Sequence, residues 1–142
     1  YATPSRRCTG IDKNRLALLV AVLEKYMKYH LYRSDIFVSL AGGLKILEPA
    51  LDLGIIIAMA SSFSNRTVDS ETVVLGEVGL GGEVRAIPRI VPRLKEAANM
   101  GFSRAIIPKT NCRGLNSELP SNLKIHPVEK VEEAIQAIIQ SA

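Results

Sequence analysis

Tryptophan is missing altogether, and aromatic residues make up only 5% of the 142-residue chain. Any core must therefore be built from aliphatic side chains. Cysteine is nearly as scarce. Cys8 and Cys112 stand far apart, with neither the close spacing of a zinc site nor the density of a disulfide framework, and both read as ordinary thiols. No apolar run reaches the ~18 residues of a membrane span, so no membrane partner is expected. A G-x-x-x-x-G-K-S/T run is also lacking, which excludes a P-loop and ATP hydrolysis by that route. Neither sign of charge dominates: 18 Lys and Arg face 14 Asp and Glu, a net +4 that permits a nucleic-acid or acidic-lipid partner without requiring one. No internal repeat or low-complexity tract is present. The opening Tyr1-Ala2-Thr3-Pro4 is neither a signal peptide nor a start methionine, and the expectation is a piece of a longer protein.

What is present suits one globular domain. The chain is 47% hydrophobic and 23% charged, and a chain of this length buries roughly 68–70% of its unfolded surface. Residues 1–10 have no apolar period and contain Pro4, Arg6 and Arg7, so they read as a linker or arm from a preceding domain, with the domain itself at 11–142. Asp12 is a good N-cap, and Leu16, Leu19, Val20, Leu23 and Met27 recur at helical spacing, which predicts an amphipathic helix from Lys13 to about Tyr29. Lys13, Arg15, Lys25 and Lys28 fall on or near its wet side. Asp35 to Ala41 alternates like a strand, and Gly42-Gly43 marks a turn or bulge.

Glu48-Pro49 opens a second helix, apolar almost all round from Leu53 to Ala60 and therefore central and buried. Gly54 inside it costs about 1 kcal/mol against Ala, which predicts close backbone packing at that point. Ser61 to Ser70 is polar and reads as a loop. The chain is organised around Val73 to Ala98. Period-2 alternation about a Leu80-Gly81-Gly82 reversal predicts a β-hairpin there, followed by a helix with Pro88 and Pro92 in its first turn and Gly101 at its close. Ala105-Ile106-Ile107 is a strand ending at Pro108, and Val128, Val131, Ile135, Ile138 and Ile139 predict a last amphipathic helix. Gly76, Gly79, Gly81 and Gly82 do not have dinucleotide-loop spacing and read as turn residues.

The run Gly-Glu-Val-x-Leu-x-Gly-Glu-Val from Gly76 to Val84 resembles the proteolytic domain of Lon-type peptidases. So do Ile107-Pro108, Asn111, Arg113, Leu115, His126-Pro127-Val128 and Glu132-Glu133 downstream. The chain from about Arg7 onward is more narrowly similar to the C-terminal Lon-like domain of the RadA (Sms) DNA-repair and recombination family. That likeness is carried by Asp12 to Leu19, Ala21 to Lys25, Asp35 to Val38, Gly42-Gly43 and Glu48-Pro49-Ala50. The resemblance implies an α/β (α+β) chain with the Lon proteolytic-domain-like fold (ribosomal protein S5 domain 2-like), a mixed sheet with packed helices.

Lon-type peptidases carry a serine nucleophile at the start of the central helix and a lysine base on the helix after the hairpin. The resemblance places these positions on Ala50 and Val91. A methyl and an isopropyl group can neither attack a carbonyl nor take a proton, so this chain is expected not to be an enzyme. Ser61, Ser62, Lys45 and Lys95 are the candidates for a substitute dyad. A straight helix puts Ser61 roughly 16 Å from Ala50, and Lys95 beside Glu96 reads as solvated. His30 and His126 read as surface or capping residues.

The remaining polar feature is basic. Arg85 lies on the hairpin, Arg89 and Arg93 have i, i+4 spacing and would share a helix face, Lys95 is close by, and Lys13 and Arg15 are further candidates. Grouped guanidinium groups can bind phosphates and release counterions, although the same set reads equally as a solvated helix face. The resemblance implies a part in a ring-shaped, DNA-dependent ATPase that drives branch migration of recombination intermediates. The Lon-like domain would assemble a homohexamer and bind double-stranded DNA without sequence preference. ATP, Mg and zinc are then expected only in domains before Tyr1, and no cofactor or metal in this chain. Its expected place is intracellular, in a bacterial cytoplasm or, in a eukaryote, a chloroplast or mitochondrion. A Ser/Lys peptidase with an unrecognised dyad, or an assembly scaffold with no DNA contact, are the alternatives.

Overall fold

The computed structural model describes residues 3–42, 47–115 and 119–140. Gly43, of the predicted turn, and Lys45, a candidate for a substitute dyad, lie outside the described residues. The chain forms two compact units, Tyr1–Glu48 and Pro49–Ala142.

The first unit is β1 (Arg6–Thr9), α1 (Lys13–Tyr26) and β2 (Ile36–Ser39), with β1 and β2 parallel and Arg6 in register with Ile36. Arg6–Thr9, read from sequence as part of a linker, is thus a paired strand. Four residues with charged or polar side chains leave little apolar signal, and the pairing is set by β2. Arg6 adds a tie, its guanidinium donating to the carbonyls of Leu31 (2.8 Å) and Ser34. The Asp12 carboxylate caps α1 by accepting from the Arg15 N–H at 3.0 Å. Leu16, Leu19, Val20, Val22 and Leu23 make the buried stripe. The helix stops earlier than the periodicity predicts, because Lys28 takes a left-handed φ of 57°.

The second unit is an α/β assembly. A 3-10 turn, Pro49–Leu51, leads into α2 (Asp52–Ser64), followed by β3 (Thr72–Val74), β4 (Glu77–Val78), β5 (Val84–Arg85), α3 (Ile90–Asn99), β6 (Arg104–Pro108), β7 (Lys124–Val128) and α4 (Val131–Ile138). Strands β3, β6 and β7 form a parallel sheet in that order, while β4 and β5 pair antiparallel as a separate hairpin. Among the described residues the parallel and antiparallel pairings thus lie in different sheets, where one mixed sheet was expected. Ala105 and Ile107, with no exposed surface, face Ile87, Ile90 and Leu94, and Ile106 on the opposite face is as deeply buried. Helix α2 is the buried helix its composition predicts, with Leu53, Ile55, Ile56, Ile57, Met59 and Ala60 all buried. It packs on α4.

The organising stretch divides where the sequence reads one continuous alternation. Val73 and Val74 belong to the parallel sheet, and the chain leaves it at Gly76. There the Gly76 N–H donates to the Ala50 carbonyl (3.0 Å) and the Gly76 carbonyl accepts from the Leu53 N–H (3.1 Å). A Cβ on Gly76 would meet Val84 Cγ1 at 2.8 Å and Leu53 Cδ2 at 3.3 Å, so only glycine lets the hairpin come this close to α2. The buried Asp52 carboxylate completes the junction by accepting from the Val78 N–H at 3.0 Å.

Three further expectations are corrected. Ser61 to Ser64 belong to α2, which ends on Asn65 in the left-handed conformation, so the loop is shorter than its polarity predicts. A Cβ on Gly54 would meet no heavy atom within 4 Å, so close packing does not explain that glycine. Pro88 lies outside α3; Arg89 stands between them with φ 57° and ψ 45°.

Candidate nucleic-acid interface

The basic candidates fall into three groups. Lys13, exposed, and Arg15, half-buried, sit at the start of α1 in the first unit. In the second unit, Arg89 and Arg93 flank the first turn of α3. They do not share a helix face as their spacing predicts, because Arg89 precedes the helix in left-handed backbone and contributes its carbonyl to the Arg93 N–H (3.4 Å). Arg93 Nε donates to the Pro88 carbonyl at 3.0 Å, which braces the turn. Lys95 is exposed on the next turn.

Arg85 is the third group, and the structure gives it neighbours that sequence reasoning missed. The Val84 N–H donates to the Glu129 carbonyl and the Val131 N–H to the Gly82 carbonyl, both at 2.9 Å, which seats the hairpin against the corner between β7 and α4. A cleft of about 410 Å³ opens there, lined among others by Glu83, Arg85, Lys109, Thr110, Glu129 and Lys130. Two of its cations are already paired: Arg85 Nη2 lies 2.8 Å from Glu83 Oε1, and Lys109 Nζ lies 3.1 Å from Glu129 Oε1. Hydrogen bonds from the Glu83 and Gly81 backbone N–H groups, with the Arg85 guanidinium, hold the Glu83 carboxyl below the usual carboxylate range. Lys109 and Lys130 stand 24 and 45 residues beyond Arg85 by subtraction of their numbers, so no local pattern joins them.

Ala50, the expected nucleophile position, is buried in an apolar cluster with Ile87, Ile90 and Leu94, and Val91 packs against the same cluster. Its methyl group and the Val91 isopropyl group offer no hydrogen-bonding atom. Ser61 Oγ donates to the Arg66 carbonyl and so closes the end of α2. His126 is engaged too, its Nδ1 2.9 Å from Arg104 Nη2, while desolvation and then the positive charges of Arg104 and Lys124 hold its pKa below the usual value. Burial pushes the Cys112 thiol up, against a smaller opposite pull from Lys109, so the reactive thiolate is disfavoured. The described residues contain no group of His, Cys, Asp and Glu able to hold a metal ion, and none of their helices is long and apolar enough to cross a membrane.

A family model described as Subunit ChlI of Mg-chelatase matches residues 12–111. The chain belongs to that family. The ChlI match begins at the N-cap of α1 and ends just past β6, so it takes in the hairpin, Arg89, Arg93 and Lys95 but not Lys130. Proteins named DNA repair protein RadA are similar over nearly all of the chain. That of Chlamydia pneumoniae is 43% identical across 98% of this chain and 31% of its own length. That of Bacillus subtilis is 45% identical across 96% and 29%, and that of Synechocystis is 47% identical across 95% and 26%. The chain thus spans under a third of the length of these relatives.

Proposed function

We propose that this chain is the non-proteolytic Lon-like domain of a RadA-type DNA repair and recombination protein. In this reading it assembles a homohexameric ring and binds duplex DNA without sequence preference, in support of branch migration. The observation that carries it is the 43–47% identity, over 95–98% of the chain, to proteins named DNA repair protein RadA. Basic residues of suitable chemistry are Arg85 on the hairpin and Arg89, Arg93 and Lys95 at the start of α3, with Lys13 and Arg15, on α1 of the first unit, as separate candidates. The peptidase reading is the weaker one, since Ala50 and Val91 carry no reactive group. ATP, Mg and zinc belong, on this proposal, to the rest of a longer protein. Its site of action is a bacterial cytoplasm, or a chloroplast or mitochondrion in a eukaryote.

A duplex-binding titration at several salt concentrations tests the proposal. Each phosphate neutralised adds about −0.9 to the slope of log K against log salt. Replacing Arg89 and Arg93 with Ala should weaken all duplexes alike and flatten the slope by roughly one per lost contact. An unchanged slope removes these two residues from the interface. An active-site-directed serine probe should leave the chain unlabelled; labelling would revive the peptidase. One observation favours an assembly scaffold without DNA contact: Arg85 and Lys109 already hold carboxylates of the chain itself. Absence of any salt-dependent binding would make that scaffold the better reading.

A further inference from the structure

Aromatic residues are scarce in this chain, yet three of its four tyrosines and one of its two histidines fall in residues 25–33, Lys-Tyr-Met-Lys-Tyr-His-Leu-Tyr-Arg. The same stretch carries three cations, Lys25, Lys28 and Arg33, and no carboxylate. It belongs wholly to the first unit, where it forms the exit of α1 and the 3-10 turn Leu31–Arg33. A core cluster would bury its rings. Here Tyr32 is 53% exposed, Lys25, Lys28, His30 and Arg33 are exposed too, and Tyr26 is half-buried. Rings and cations are ordered against one another. The Arg33 guanidinium lies over the Tyr32 ring, 5.6 Å from its centroid, and His30 meets that ring edge to face at 5.8 Å. Lys25 Nζ stands over Tyr26 at 5.2 Å.

The backbone beneath them is pinned. Leu31 is buried, and the Arg6 guanidinium donates to the Leu31 and Ser34 carbonyls. Lys28 holds φ 57° just past the end of α1, where a glycine would serve without strain. A fixed, exposed turn that interleaves rings with cations suits a polymer of flat apolar faces on an anionic backbone. Single-stranded nucleic acid has that chemistry: unpaired bases stack on aromatic side chains while the phosphates between them meet cations. A duplex keeps its base faces inside its own stack.

We propose that residues 25–33 form a stacking platform for single-stranded nucleic acid, in which Tyr32 and His30 take unpaired bases and Lys28 and Arg33 take the adjoining phosphates. The platform goes beyond the duplex-binding reading and does not rest on it, since it uses none of the residues assigned to duplex.

With no tryptophan in the chain, tyrosine emission reads the platform directly. Titrating the whole chain with a short oligo-dT strand should quench that emission, and anisotropy of a labelled strand should give the same affinity. Tyr32→Leu should weaken binding about tenfold, whereas Tyr32→Phe, which keeps the ring, should bind like the unmodified chain. An abasic strand of the same length should bind about tenfold more weakly than oligo-dT. Lys28→Gly relieves the left-handed strain, so it should raise the unfolding midpoint while flattening the salt slope on oligo-dT by about 0.7. Equal affinity for abasic and dT strands would make the contact purely electrostatic and overturn the inference. Unchanged binding by Tyr32→Leu or an unchanged slope in Lys28→Gly would overturn it as well. So would no binding of oligo-dT, which would leave the exposed rings to a protein partner. Duplex affinity should be the same in Tyr32→Leu as in the unmodified chain, and a parallel loss there would overturn the assignment to single strands. Failure of the duplex reading shows instead in the unmodified chain on duplex alone.

Discussion

Asn111 does with one side chain what a neighbouring strand does with its backbone. Its Oδ1 accepts from the Ile87 N–H and its Nδ2 donates to the Ile87 carbonyl, both at 2.9 Å, which pins the exit of the hairpin beside β6. Asn111→Ala leaves both groups without that partner in a part-buried setting and should lower stability by about 1–3 kcal/mol, read from urea unfolding midpoints. His126 acts through its protonation. A guanidinium only donates, so Nδ1 accepts from Arg104 and the neutral ring carries its proton on Nε2. Its folded pKa lies below 6.5, so between that value and 6.5 the unfolded chain binds more protons than the folded one. The resulting stability is fully present above pH 6.5 and is lost as pH falls through the window beneath it. His126→Asn keeps an acceptor near the position of Nδ1 but does not titrate. Unfolding free energies measured from pH 8 to 5 should fall less steeply below 6.5 in the variant, and parallel profiles would refute the assignment.

Two helices include or adjoin a residue held at a conformational cost that local substitutions can expose. In α2, Gly54 has room for a Cβ, so Gly54→Ala should raise stability by about 0.5–1 kcal/mol through helix propensity. If the same variant weakens self-association, that face of α2 lies between copies of the chain. Just before α3, Arg89 holds a left-handed conformation that costs a non-glycine residue roughly 1–2 kcal/mol. Arg89→Gly should therefore stabilise the fold by about 1 kcal/mol while weakening duplex binding, two effects of opposite sign that unfolding and binding measurements separate. A stability loss in that variant would show that the side chain makes a structural contact outweighing the relief of strain.

For the whole molecule the proposal turns on copies acting together. A net +4 is a weak attraction for one copy, but a ring presents it several times to one polyanion. Light scattering at high micromolar concentration should find species larger than one chain, joined head to tail so that the contact can close. Leu80 and Met100, 68% and 70% exposed, are apolar residues in the second unit available to such contacts. A strictly monomeric chain would shift assembly to the remainder of a longer protein, and duplex affinity would then rise sharply only in that longer form.

The elements whose signal is local were readable from sequence: the N-cap at Asp12, the apolar stripe of α1, the all-round apolar α2, the Leu80-Gly81-Gly82 reversal, and the strand ending at Pro108. Each is specified by residues within a few positions of one another, through side-chain period, cap chemistry and the φ a turn requires. Sequence also named Arg85, Arg89, Arg93 and Lys95 as a basic set, since they are near neighbours along the chain. What only the tertiary structure decided are the pairings between distant segments. Arg6–Thr9 becomes a strand because β2 supplies its partner, and Val73-Val74 leaves the hairpin because β6 takes it. Arg85 gains Lys109 and Lys130 as neighbours because the backbone joins the hairpin to the corner after β7. Glu83 belongs to both descriptions: its place two residues before Arg85 is local, but its carboxylate comes to lie against Gly79 and Gly81 only once the turn has formed. Periodicity records which face of an element is apolar, whereas the identity of the opposing surface, and so the charge of a site, is settled by chain closure.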